Sequence, residues 1–462
     1  MYHMDELLAQ ICLEPGEGEK QFVLRDYVPI GRILKEGGSC TVSLADMDGK
    51  FCSVCGDHGG NRTARILKVT GEGPCRVSFF VGSGWWAEPD GAYTDAMHRF
   101  SGWAGSDGIN SFNLKDGVDA YGADTDATLF VFGDTLVSEV DRKTDRRLQP
   151  VYMPNNTYGI MGKTPADLEF YLNRDENGIP RASLIPSPEV AEPEEWFWLQ
   201  DGIVLDRKLY LSPLVVGPDL SRPEGYQFRV TGVAMAVIPI EENRPVFEKA
   251  VQYRTRLYAE TDTYRYTGGI AYMPYTREAG WEDGDGYIYI YGYRSRVDQL
   301  KSSELIVCRT LPQDFGCEEK WRWFDGEGWN GTDILQSAPL LSAVSAEMSV
   351  MPIRGGANDG RFLAVFQKHV ESDTLAYAVG DTPAGPFASA QAVWHCDENP
   401  RIDPTVYTYN AKAHCHLSTP DSILASYNVN TPSWEINCRF GSIYRPRFLR
   451  LHDTTLEGGC RG

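Results

Sequence analysis

Five segments of this chain are dense in aromatic and branched residues and end in polar ones. They are TLFVFGDTLV from Thr128, KLYLSPLVV from Lys208, YIYIYGYRS from Tyr287, RFLAVFQKHV from Arg361 and ILASYNVN from Ile423. Their starts lie 80, 79, 74 and 62 residues apart. Short apolar runs of this kind, bounded by turn residues, predict strands covered on both faces. A weaker strand candidate precedes each: GSDGINSFNL, WLQDGIVL, TGGIAYMPY, SAEMSVMPI and YNAKAHCHLS. A third follows each: NNTYGIMG, FRVTGVAMAVIPI, SELIVCRTL, TLAYAVGDT and SIYRPRFLRL. Turn signals such as KDG, DRK, DGDG, GGANDG and TPDS separate the runs. No long amphipathic helical pattern interrupts them. A strand–turn–strand–turn–strand unit repeated five times, with room for a fourth strand, predicts an all-β five-bladed β-propeller. An immunoglobulin-like sandwich uses only about seven strands, too few for this chain. Two or three unrelated β domains are the alternative arrangement.

The repeat sets the expected domains. Residues 1–85 precede it and carry their own strand-like runs, SCTVSLADM, RILKV and CRVSFFVGSGWW. They predict a small β-rich extension, one strand of which would close the ring by pairing with the last blade, because closure removes exposed edges. Residues 86–452 form the propeller, and 453–462 form a tail.

Composition narrows the partners. The chain has 462 residues, 42% of them hydrophobic and 23% charged, with 46 Gly and 27 Pro. A formal net charge of −20 repels phosphate backbones and anionic lipid, so nucleic acid and membrane surfaces are not expected partners. No run of 18 apolar residues predicts a membrane span. The first thirty residues mix acids with apolar residues and lack the pattern of a secretory signal. Eleven cysteines, an odd number without a framework, then read as reduced thiols, and the expected location is cytoplasmic. The single CSVC (Cys52, Cys55), with Cys40, Cys75 and His58 nearby, falls short of a zinc pattern, and no metal or cofactor is expected. There is no GxSxG, Walker or dinucleotide fingerprint.

The first strand of each propeller blade lines the central channel. Its leading residues here are Asp107, Asp201, Thr267, Glu347 and His414, three of the five being carboxylates. Asp107 and Asp201 precede Gly, a pairing also common in plain turns. Glu347 sits in VSAEMSVMP with no turn residue beside it; a buried ion pair is its structural alternative. Clustered carboxylates push their pKa values apart, which supplies an acid and a base at one pH. Asp134 in FGDT reaches the pocket or caps a strand. Asn155 and Asn156 in MPNNTYG offer amides to sugar hydroxyls. Asn410, Lys412, His414 and His416 alternate, so they share one strand face. Arg445 and Arg447 alternate likewise and suit an acid or an anion. Trp103 and Trp198 offer stacking faces to sugar, although packing accounts for most of the tryptophans, which include Trp85, Trp86, Trp196, Trp321, Trp323 and Trp329.

These stretches also carry a resemblance. GWAGSDGINSFNL followed by TLFVFGDTLV, with MPNNTYG, WRWFDGEGW, SAEMSV, YNAKAHCHLS, SYNVN and YRPRFLRL, resembles an uncharacterised bacterial family classed as a domain of unknown function. The match spans about residues 100 to 451. That family looks related to five-bladed propeller glycosidases, including arabinanases, fructosidases and endo-D-arabinanases. DTPAGPF (Asp381 to Phe387) is similar to their Gly-Pro-aromatic blade motif. The resemblance implies Asp107 as base or nucleophile, Asp201 as an orienting group and Glu347 as acid. Glu347 stands on the fourth blade, later than is usual in those enzymes.

The expected activity is therefore a glycoside hydrolase or transglycosidase acting on a furanoside or other short oligosaccharide through two carboxylates. Asp134, Asn155, Asn156, Trp103, Trp198, Asn410, Lys412, His414 and Arg445 are the expected substrate-binding residues. A non-catalytic carbohydrate-binding propeller is the alternative. It would retain ligand after loss of the acids.

Overall fold

The computed structural model describes residues 2–223, 225–299 and 302–456. Residues 457–462, most of the expected tail, lie outside the described residues. The chain is all-β. No described helix is long and apolar enough to cross a membrane.

Six antiparallel strands between Leu7 and Val81 make an N-terminal sheet. Alternating Cys75, Val77, Phe79 and Val81 point into its core, where they meet Val28, Ile30, Ile33, Leu67 and Val69. Gln391 accepts hydrogen bonds from the backbone and hydroxyl of Thr63 (3.1 and 3.3 Å), tying this sheet to the rest. The next strand, Trp85–Pro89, leaves the sheet and pairs antiparallel with Arg447–Asp453, so the two ends of the remaining chain share one sheet.

Between these ends the sheets follow in chain order. Their first strands are β1 (Asn110–Asn113), β2 (Gly202–Leu205), β3 (Tyr264–Tyr275), β4 (Met348–Pro352) and β5 (Tyr407–Ala413). Each continues outward through antiparallel neighbours. From β4 these are Phe362–Gln367, Thr374–Gly380 and Gln391–His395. From β5 they are Ile423–Asn430, Arg447–Asp453 and Trp85–Pro89. Successive first strands pack side by side, β1 on β2, β2 on β3, β3 on β4 and β4 on β5. Ser111 of β1 and His414, just past β5, share a hydrogen bond (2.8 Å) that links the last to the first. Apolar clusters fill the spaces between sheets. One contains Trp281, Tyr289, Tyr291, Trp321 and Trp323. Burial of such side chains is the main stabilising term.

Three sequence expectations need correction here. The Thr128 run is two strands, Thr128–Phe132 and Thr135–Asp141, because Gly133-Asp134 forms a turn. The Lys208 run also splits, at Ser212-Pro213, where proline lacks the N–H that a central ladder needs. The four alternating polar residues of β5 do not share a face. A bulge lies between Tyr409 and Lys412 with Asn410 at φ +60°, and His416 falls in a 3-10 turn, Cys415–Leu417.

Candidate active site

Asp107 follows the strand Trp103–Ser106 in a Ser-Asp-Gly turn, with Gly108 at φ +53°. The Gly133-Asp134 turn lies directly over it. The Gly133 N–H donates to the Asp107 carbonyl (2.9 Å), and the Ser106 hydroxyl donates to the Asp134 carbonyl (2.7 Å). A Cβ on Gly133 would stand 2.6 Å from Asp107 Oδ1, so only glycine leaves room for this carboxyl. On the other side, a Cβ on Gly108 would lie 3.6 Å from Glu347 Oε1. Asp107, Asp134 and Glu347 thus converge at the leading ends of β1 and β4.

Each carboxyl has its own holders. The Tyr409 hydroxyl donates to Asp107 Oδ2 (2.7 Å), and the Tyr444 phenol reaches the same carboxyl. Asn155 Nδ2 donates to Asp134 Oδ1 (3.1 Å), with Trp198 beside it. Asn410 Nδ2 donates to Glu347 Oε1 (2.9 Å), and the buried Lys412 ammonium forms an ion pair with Oε2. Burial pushes Asp107 up to about 7, helped by the negative field of Asp134 and, further off, Glu347, and opposed by the two phenols. Burial likewise pushes Asp134 up to about 6 against the pull of Asn155.

Asp201 stands apart from this cluster. Its Oδ2 accepts the Tyr272 backbone N–H (2.8 Å), and burial pushes it up to about 7. It lines a narrow cavity of about 40 Å³ with Lys412, Asn110, Asp119 and Tyr272. A space of that size holds a few waters and no sugar ring. Its charged neighbours are Asp119 and Lys412.

Four expected binding residues have structural roles instead. Asn156 is fully buried; its amide donates to the carbonyls of Leu184 (2.9 Å) and Phe197 (3.1 Å) and accepts from Leu184 N–H (2.8 Å). Trp103 is 1% exposed and stacks on Phe170 at 4.2 Å. Both His414 ring nitrogens are engaged, with Ser111 and Ser426 (2.8 Å each), and burial drives the ring well below its ordinary pKa. His414 also lies past the far end of β5, so the residues of this strand at the acid mouth are Tyr409 and Asn410. Arg445 is 2% exposed and donates to the carbonyls of Ala104 (3.0 Å) and Arg99 (2.7 Å). Arg447 pairs with Glu398 (3.6 Å), away from the mouth. Thr267 is fully buried beside Tyr293. An Asn156→Ala change should therefore cost about 1–3 kcal/mol, because it orphans three buried backbone groups, and a shift in the urea unfolding midpoint would measure this. An unchanged midpoint would contradict the clamp.

Tyr409 and Tyr444 escaped the sequence reading. Tyr409 lies inside the quoted YNAK run, where a hydroxyl next to Asn410 was the available signal. Tyr444 sits at φ +59°, a backbone state that no sequence pattern announces.

The architecture and the mouth together define an all-β protein with three clustered carboxyls, one of them protonated to about neutrality. The chain belongs to the family described as a domain of unknown function, DUF5005, whose model matches residues 90–454. No curated protein matches it. Among solved structures, a Bacteroides ovatus ATCC 8483 protein, described provisionally as a hydrolase, is 17% identical with a TM-score of 0.58, covering 79% of this chain and 90% of that one. That likeness shows a shared fold. A GH43 β-xylosidase/α-arabinofuranosidase from a compost microbial metagenome, CoXyl43, in complex with xylotriose, is 10% identical with a TM-score of 0.38, covering 81% of this chain and 97% of that one. A levansucrase mutant of B. megaterium is 10% identical with a TM-score of 0.40, covering 71% and 79%. Neither of these two scores reaches 0.5.

Proposed function

We propose that this protein is a glycoside hydrolase or transglycosidase on a five-bladed propeller, acting on a furanoside or other short oligosaccharide through two carboxyls at the channel mouth. The pairing of Trp85–Pro89 with Arg447–Asp453 would close the ring. The observation that carries the function is the state of Asp107. A partly buried carboxyl raised to about 7, beside a second carboxyl in an ion pair, gives a proton donor and an anion at one pH. Glycoside cleavage needs that combination: one group protonates the leaving oxygen and the other attacks or activates water. The raised carboxyl favours Asp107 as the acid, the reverse of the role implied by the resemblance. Trp198, Asn155 and Asn410 surround the acids with one aromatic edge and two amides, groups suited to sugar rings and hydroxyls. The provisional description of the B. ovatus relative as a hydrolase agrees with this reading.

A panel of aryl furanosides and pyranosides with fructo- and arabino-oligosaccharides tests it, using wild type beside Asp107→Asn. Turnover by wild type that falls by about 10²–10⁴ in the variant is the expected result. Sugar binding without turnover, unchanged in the variant, would instead mark a carbohydrate-binding propeller.

A further inference from the structure

We infer that the carboxylate that works with Asp107 is Asp134, and that Glu347 is a positioning residue. This rests on the glycosidase reading above and changes which carboxyl completes the pair.

Three observations carry it. First, the Asp107 and Asp134 turns are fastened to each other by one backbone bond and one bond from the buried Ser106 hydroxyl. Gly133 N–H reaches the Asp107 carbonyl, and Ser106 reaches the Asp134 carbonyl. The missing side chain of Gly133 makes the space that Asp107 Oδ1 occupies. Such fastening, made by backbone and one fully buried hydroxyl, holds two reacting groups in one geometry. Second, access differs. Asp107 and Asp134 both keep partial contact with solvent, whereas Glu347 is only 6% exposed. Third, Glu347 is already committed at both oxygens, Oε1 to Asn410 and Oε2 to Lys412. To attack a sugar or take a proton, it would have to abandon a buried lysine, at a cost of several kcal/mol.

Two neighbouring carboxylates do not ionise together readily. With Asp107 at about 7 and Asp134 at about 6, the pair shares roughly one proton near neutrality. Other groups that face the pair are Glu347, Tyr409, Tyr444, Asn155 and Trp198.

The Asp107 carboxyl gives its proton to the glycosidic oxygen as the bond from that oxygen to the anomeric carbon breaks. Asp134 either takes a proton from the water that attacks that carbon, or attacks it directly and is released in a second step by water whose proton returns to the Asp107 carboxylate. The leaving group departs as an alcohol. In the first route the proton on Asp134 then exchanges through solvent until Asp107 is protonated again. Glu347, paired with Lys412, holds the Asn410 amide in place.

The test uses the best aryl glycoside from the panel above with Asp134→Asn, Asp134→Ala, Glu347→Gln and Glu347→Ala, each checked for folding by thermal melt. Asp134→Asn should lose about 10²–10⁴ in kcat with KM changed only a few-fold. Sodium azide should restore turnover to Asp134→Ala with a glycosyl azide as product, and should leave Glu347→Ala unrestored. Glu347→Gln should keep both pH limbs, with the Asp107 limb moved only slightly to lower pH by loss of the Glu347 field, whatever its loss in rate. Asp134→Asn retaining a tenth or more of kcat, or azide rescuing Glu347→Ala instead, would overturn the assignment while leaving the glycosidase reading intact. No turnover of any glycoside by wild type would overturn both.

Discussion

Replacing Lys412 with methionine is expected to cost the fold about 3–5 kcal/mol. Methionine keeps the length and apolar stem of lysine. What it removes is the ammonium that faces Glu347 Oε2 at a site where both partners are buried. Asn410 still donates to Oε1, but one neutral amide does not offset the desolvation of a carboxylate. The double variant Lys412→Met/Glu347→Gln should recover most of the loss, since a neutral amide in that place needs no counter-charge. Urea unfolding of wild type, Lys412→Met, Glu347→Gln and the double variant forms a double-mutant cycle. A Lys412→Met protein as stable as wild type would mean that the ion pair is not formed in solution.

The second large effect concerns Asp107, whose replacement by asparagine should lower turnover by about 10²–10⁴ yet stabilise the protein at alkaline pH. The sign follows from linkage. The folded carboxyl titrates at about 7 and the unfolded one at 3.8, so the folded chain holds the extra proton between those values. Stability is then fully present below pH 4 and is lost as pH rises through 7, at about 1.4 kcal/mol per pH unit. Asparagine cannot ionise and still accepts from Tyr409. At pH 8 the variant should exceed wild type by about 1–3 kcal/mol, less than full linkage because the carboxyl retains contact with solvent. At pH 4 the two should melt together. Melting curves at the two pH values decide it. Equal destabilisation at both would show that Asp107 is a structural group without a raised pKa. A carboxyl that the fold carries at a loss is the stability–activity trade expected of a working site.

The individual acids were legible as chemistry because their surroundings were wrong for bland roles. Glu347 stood in an apolar run, and Asp107 and Asp134 flanked dense strands. Their partners were another matter. Tyr409 lies 302 residues from Asp107, and Lys412 lies 65 residues from Glu347. Nothing local encodes either contact. Asn156, His414 and Arg445 were misread for one shared reason. A polar side chain looks like a ligand in sequence, because the carbonyls and hydroxyls that saturate it belong to other strands. The opposite error occurred at Thr128 and Lys208, where apolar density hid a Gly-Asp and a Ser-Pro break.

By itself, then, the sequence determined the all-β class, the spacing of the dense strands and the carboxyls at their edges. Those properties follow from local side-chain chemistry and period. The tertiary structure decided which acids share a mouth, which one keeps its proton and which one is tied to a lysine. Those depend on burial and on charge at a few ångströms, quantities that exist only once strands hundreds of residues apart are brought side by side.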